Sequence, residues 1–323
     1  GKVKVLNLIG QGRFSEIWKS ENENGQMVAV KVDKREYQHD ILNGEIEVLK
    51  MLQGHKNYVC DYFGSGIIQE TNGAFLVMEL CKRNVSEYRK SQPQARIPQY
   101  EGAKIALEML RGLKVVHEMG WIHRDIKPSN FMMPLPSRDR TPFSCYIVDF
   151  GLSKKHILED GKVVPPRKQA AFRGTSLYAS INCHQLEELG RRDDLWSILF
   201  VFIDIINSGL PWRKCKENRS EVLKRKMKYC GEGRVPEDKM LQKPLQDFMA
   251  HLHTLQYDSR PNYIRLEKAL SDLAAQADSA SKKNWEHKLK AREKELLEAE
   301  TGKAADSSSK ADEDKATATN TKN

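Results

Sequence analysis

No stretch of the 323-residue sequence is long and apolar enough to cross a bilayer. The longest apolar run, Leu195–Ile206, is interrupted by Ser197 and Asp204. It reads as a buried core helix, and no membrane insertion is expected. Cysteine is scarce and unpatterned. The six, at 60, 81, 145, 183, 215 and 230, form no Cys-x-x-Cys pair, and no histidine spacing suggests zinc. Free thiols in a reducing compartment follow, hence the expected location is the cytoplasm, with the nucleus as a second compartment. No internal repeat is present. The first residue is Gly1 and not Met, so a trimmed N terminus is expected and a missing signal peptide carries little weight. Acidic residues are outnumbered, 44 against 53 Lys and Arg, for a formal charge of +9. That surplus favours acidic partners without choosing among nucleic acid, anionic membrane and acidic protein segments.

What is present divides the chain unevenly. From Lys4 to Leu80 short β-rich runs ("VKVLNLIG", "SEIWKSE", "MVAVKVD", "AFLVMEL") alternate with turn residues such as Asn24-Gly25 and Asn72-Gly73. One helical segment, Asn43–Leu52, interrupts them. From Gln99 to Glu118, Ile105, Met109, Leu113 and Val116 recur at helical spacing. Short strands and loops follow Trp121, then helices to about Ala275. The expected class is α+β and bilobal, with a β-rich lobe over about 1–80 and a helical lobe over about 81–275. Residues 276–300 read as a charged, solvated helix with Trp285, Leu289 and Leu296 as a thin apolar stripe. Residues 301–323 hold almost nothing apolar and are expected to be disordered.

Four motifs carry chemistry. "IGQGRFSEIW" sets Gly10 and Gly12 in a turn between two strands, where backbone N–H groups can approach phosphates. Ser15 stands where a third glycine would be, and no helix follows, which argues against a dinucleotide fold. "VAVK" then places Lys31 at a strand end, where a cation could hold α- and β-phosphates. Glu45 could pair with it, with Glu47 as the alternative. "HRDIKPSN" supplies Asp125, Lys127 and Asn130, and "IVDFG" supplies Asp149 after a short apolar strand. Phosphoryl transfer needs metal ligands, a cation on the moving group and a carboxylate at the attacking hydroxyl. Asp149 and Asn130 can bind Mg²⁺ through oxygen. Lys127 can neutralise the γ-phosphate, and Asp125 can orient the hydroxyl and accept its proton. One Asp-Phe-Gly arises by chance; this whole series in this order does not.

On these motifs the chain resembles a eukaryotic protein kinase from about Val5 to about Ala275. The resemblance implies ATP and Mg²⁺ as cofactors and a role for each matching residue. Lys31 and Glu45 become an activating ion pair and Met78 the gatekeeper. The backbone of Glu79 and Cys81 would hold adenine, with Ile17, Ala29 and Met132 about the ring. His123 and Phe150 join a stacked spine. Lys127, two residues after Asp125, matches the serine/threonine pattern.

Between Asp-Phe-Gly and "RRDDLWS" the chain reads "FRGTSLYASINCH". Ser180-Ile181-Asn182 stands where Ala-Pro-Glu is usual, the mark of the casein kinase 1 group. "HRDIKPSNFMM", "VVPPRKQAAFRGTSLYAS" and "GLPWRKCK" look most like its tau-tubulin kinase branch. That resemblance implies independence from activation-loop phosphorylation and acidic or phosphorylated protein substrates. It also implies Asp194 capping the catalytic-loop backbone and Thr175 bonding Asp125 and Lys127. Leu177 departs from the group's arginine, which helps bind an anion. The run Arg213, Lys214, Lys216, Lys224, Arg225, Lys226 and Lys228 is the candidate to compensate. A monomer is expected and nucleic acid is not an expected partner. The alternative is a catalytically weak kinase-fold scaffold that binds acidic partners.

Overall fold

The computed structural model describes residues 2–12, 14–34, 41–137, 140–207, 209–231, 243–283, 285–291 and 294. The expected tail 301–323 lies outside them. The chain divides into two compact units, residues 1–135 with 143–277, and residues 136–142 with 278–323. In the second unit 279–283 and 285–291 are helical, and the Asp278 carboxylate accepts from Ser281 N–H at 2.7 Å.

The first unit opens with β1 (Val3–Gln11), β2 (Ser15–Asn22) and β3 (Met27–Asp33), which pair antiparallel in sequence order. Helix α1 (Ile41–Met51) follows, then β4 (Tyr62–Ile68) and β5 (Gly73–Glu79). The sheet order is β1-β2-β3-β5-β4. β3 is the strand with the most to bury: Val28, Ala29, Val30 and Lys31 are all buried. Leu42, Ile46 and Leu49 turn one face of α1 into the core while Glu47 stays exposed.

A short strand β6 (Arg83–Asn84) leads into α2 (Val85–Lys90), where Asn84 and Glu87 form a reciprocal capping box. Helix α3 (Gln99–Glu118) has the bounds its periodicity predicts, and its buried positions include Ile105, Met109, Leu113 and Val116. Then come β7 (Trp121–Ile122), β8 (Phe131–Met133), β9 (Tyr146–Ile147) and β10 (Lys154–Lys155). β10 pairs with β7, and β8 lies between β6 and β9. These small ribbons bracket the loops that carry Asp125 and Asp149.

Helix α4 (Ile181–His184) is short and is capped by Ser180, whose hydroxyl accepts from Cys183 N–H at 3.1 Å. Helix α5 (Arg191–Ile206) holds the apolar run singled out in the sequence, and nearly every residue from Asp193 to Ile205 is buried. Helices α6 (Arg219–Cys230), α7 (Lys243–His253) and α8 (Tyr263–Ala275) complete the unit. Asn218 caps α6 and Asn262 caps α8, each accepting from a backbone N–H three residues on.

Candidate active site

Lys31 and Asp125 organise the site. Lys31 Nζ lies 2.6 Å from Glu45 Oε2 and 3.3 Å from Asp149 Oδ1. Of the two candidate partners on α1, Glu45 is buried and paired while Glu47 faces outward. Burial opposes the charge on Lys31, but Glu45 and Asp149 outweigh it and hold the amine above its ordinary range. Burial also works against the Asp149 carboxylate, yet Lys31 and Lys127 keep it below the ordinary value. Both groups are therefore charged at neutral pH.

The Asp125 carboxylate is held at both oxygens. Lys127 Nζ donates to Oδ2 at 2.6 Å and Thr175 Oγ1 donates to Oδ1 at 2.8 Å. The expected direct bond between Thr175 and Lys127 is not made; the two meet on opposite oxygens of one carboxylate. Asn130 Nδ2 donates to the Asp125 carbonyl at 2.9 Å, which leaves its Oδ1 as the acceptor end of the amide.

The loops here are strained and over-determined. Arg124 and Asp149 both have φ of 67°. For non-glycine residues such conformations cost about 1–3 kcal/mol each and persist only where the surroundings impose them. At Arg124 the cause is visible: Asp194 accepts from His123 N–H at 2.7 Å and from Arg124 N–H at 2.8 Å. The His123 and Phe150 rings meet at 5.5 Å between centroids. Gly174 has φ of 87°, and a Cβ there would come within 2.5 Å of the Arg124 carbonyl oxygen. Only glycine lets the segment carrying Thr175 approach the loop carrying Asp125.

The remaining expected positions lie around β2, β3 and β5. Gly10 pairs with Ile17, Ile17 with Lys31, and Ala29 with Met78. Gly12 N–H donates to Ser15 O at 2.8 Å and closes the turn. Glu79 N–H donates to Asp61 O at 2.9 Å, so the part of its backbone that could meet adenine is the carbonyl. Cys81 follows it, and Met132 on β8 sits opposite Asn84.

Ser180-Ile181-Asn182 acquires a structural meaning that its residue types alone did not give. Ser180 Oγ donates to Asp193 Oδ1 at 2.6 Å, Asn182 Nδ2 donates to the same oxygen at 2.9 Å, and Gly190 N–H donates to Oδ2 at 2.8 Å. One buried carboxylate gathers the end of the segment and the start of α5. Sequence reasoning missed Asp193; the signal was two adjacent acids at the head of an apolar helix.

The basic run over 213–228 is not one solvated surface. Arg213 pairs with Asp204 and Arg225 with Glu221. Lys226 is fully buried, so its amine is not free to take the anion-binding part expected of the run. Lys214, Lys216, Lys224 and Lys228 are exposed. The Leu177 side chain packs into the core and is 6% exposed.

With this geometry in place, comparison with known proteins is direct. The protein kinase domain family matches residues 3–272. The chain belongs to the protein kinase family. A protein of Dictyostelium discoideum named a probable serine/threonine-protein kinase is 40% identical over 273 residues, which is 84% of this chain and 53% of that protein. A Caenorhabditis elegans protein provisionally named a casein kinase I is 31% identical over 65% of this chain and 61% of its own length. The serine/threonine-protein kinase spe-6 of the same organism is 27% identical over 96% of this chain and 82% of its own. The chain thus spans little more than half the length of the first two kinases.

Proposed function

We propose that the chain is a Mg-ATP-dependent serine/threonine protein kinase of the casein kinase 1 group, nearest the tau-tubulin branch. The observation that carries the reading is the Asp125 carboxylate, held by Lys127 and Thr175 beside Asn130 and the Lys31–Asp149 pair. The substrate hydroxyl donates its hydrogen to Asp125. As its oxygen bonds to the γ-phosphorus the proton passes to the carboxylate, and the bond to the β-γ bridging oxygen breaks to release ADP. Lys31 holds the α- and β-phosphates, and Lys127 balances charge on the transferred group. Asp149 Oδ and Asn130 Oδ1 are hard oxygen donors that suit Mg²⁺, which is held by one or two carboxylates together with phosphate oxygens. When bound, the ion neutralises charge on the phosphates. The Gly10–Gly12 turn, Ile17, Ala29, Met78, Cys81 and Met132 enclose the nucleotide.

The branch assignment is supported by Ser180-Ile181-Asn182 and by the casein kinase I name of one relative. The formal charge of +9 supports acidic substrates. The deciding measurement is phosphate transfer from Mg-ATP to casein or an acidic serine peptide. Asp149→Asn and Asp125→Asn serve as controls. Both should lose turnover, Asp125→Asn by about 10²–10⁴-fold. Equal activity in wild type and controls would overturn the proposal. A melting temperature raised by Mg-ATP with no turnover would favour the scaffold reading instead. Lys31→Met is a poor control, because it strands the buried Glu45 carboxylate and unsettles the fold itself.

A further inference from the structure

Lys226 is 0% exposed, yet no carboxylate among the described residues pairs with it. Lys31, the other lysine buried among the described residues, has two. Lys226 Nζ donates instead to backbone carbonyls: to Ser176 O at 2.9 Å, and to Ala179 O. Its remaining surroundings are the Phe200 and Trp212 rings, with centroids at 4.9 and 5.3 Å, and His184 Nε2 at 3.4 Å. An amine is an expensive group to bury, and burial pulls this one down to about 7. An apolar side chain would fill the same space at lower cost. What it could not do is hold two carbonyls three residues apart.

Those carbonyls belong to a segment tied at every residue. Thr175 donates to Asp125 at 2.8 Å. His184 joins Lys226 on Ser176 O at 3.1 Å. Trp212 Nε1–H donates to Leu177 O at 2.8 Å. Tyr178 OH donates to Asp204 at 3.0 Å, and Ser180 Oγ to Asp193 at 2.6 Å. Because Thr175 touches Asp125, the segment it opens adjoins the place where a peptide would present its hydroxyl. We infer that Lys226, with Trp212, is a positioning residue for the protein substrate: together they fix the carbonyls of Ser176, Leu177 and Ala179 that shape the peptide platform, without touching nucleotide. This rests on the kinase reading above and deepens it.

The test separates substrate from nucleotide. In Lys226→Met, which keeps length and loses the donors, the peptide KM should rise about five-fold or more, the loss of roughly 1 kcal/mol. The ATP KM should stay within two-fold of wild type, on the order of experimental scatter. Lys226→Arg, which restores donors, should recover part of the peptide KM. Trp212→Phe keeps an aromatic side chain but loses the pyrrole half of the indole with its N–H to Leu177 O, so where it folds it should raise peptide KM in the same way, and it decides the matter if Lys226→Met does not fold. Unchanged peptide KM in the folded variants, or parallel rises in both KM values, overturns the inference while wild-type turnover leaves the kinase reading standing. No turnover in wild type overturns both.

Discussion

At the scale of single residues the costs sit where polar groups are buried without partners. His156 is 1% exposed, and neither ring nitrogen has a hydrogen-bond partner. Its ring stands edge-on to Tyr257 at 5.0 Å. Burial, aided by the nearby Arg191 charge, lowers it from 6.5 to about 4. A histidine depressed on folding binds more protons in the unfolded chain over that interval, so stability falls as pH drops from 6.5 towards 4. His184 is lowered to about 4 as well, by burial and then by Lys226, and adds in the same direction. Glu188 loses stability in the same direction but at lower pH. Burial raises it, but hydrogen bonds from Arg167 and Lys154 prevail and bring it to about 2, so its contribution is lost only as pH falls from 4.5 towards 2. His156→Phe should therefore flatten the fall in melting temperature between pH 6.5 and 4 without abolishing it. The group is worth at most about 3 kcal/mol there. Melting scans across that range check it, and an acid limb as steep as in wild type would refute the assignment.

At the scale of elements, α4 and α5 are joined through the Asp193 carboxylate, which accepts from Ser180, Asn182 and Gly190. Burial raises that carboxyl, and the hydrogen bonds pull against the rise. The arrangement explains why an amide stands at 182. A glutamate there would set a second acid against Asp193 where a donor is required. Asn182→Glu is thus expected to destabilise by about 1–3 kcal/mol, and Asn182→Ala by less, read as denaturant midpoints at constant m-value. A stabilised Asn182→Glu would show that Asp193 does not need the donor. The same residues mark what the sequence could tell. α3 was legible because Ile105, Met109, Leu113 and Val116 keep one period over about three turns. β4 was not, since Gly64 and Gly66 break its pattern and it is fixed instead by pairing with β5. Asp125, Lys127, Asn130 and Asp149 were legible because contiguous motifs hold them. Asp193 and Lys226 were not, because the side-chain partners of Asp193 and the carbonyls that Lys226 holds lie 11 or more positions away and a lysine in a basic helix reads as solvated.

For the whole molecule the charge is unevenly placed. Residues 276–323 carry ten basic and ten acidic side chains, so the net +9 belongs to residues 1–275. Much of the basic run over 213–228 is spent internally, on Asp204 by Arg213, on Glu221 by Arg225 and on carbonyls by Lys226. The exposed remainder, Lys214, Lys224 and Lys228 among it, would act on an acidic partner through solvent. Such interactions are screened over about 8 Å at physiological salt, whereas the buried Lys31–Glu45 pair is screened much less. Raising salt from about 50 to about 300 mM should therefore weaken an acidic peptide's KM several-fold. The KM of a neutral peptide carrying the same serine should hardly move. Removing residues 278–323 should leave that salt dependence as it is, because they contribute no net charge of consequence. Steady-state kinetics on the two peptides, with full-length and shortened chains, provides the measurement. Parallel salt effects on both peptides would show that the surplus charge does not steer substrates. A salt effect lost on truncation would place the steering charges in the segment after Ala277.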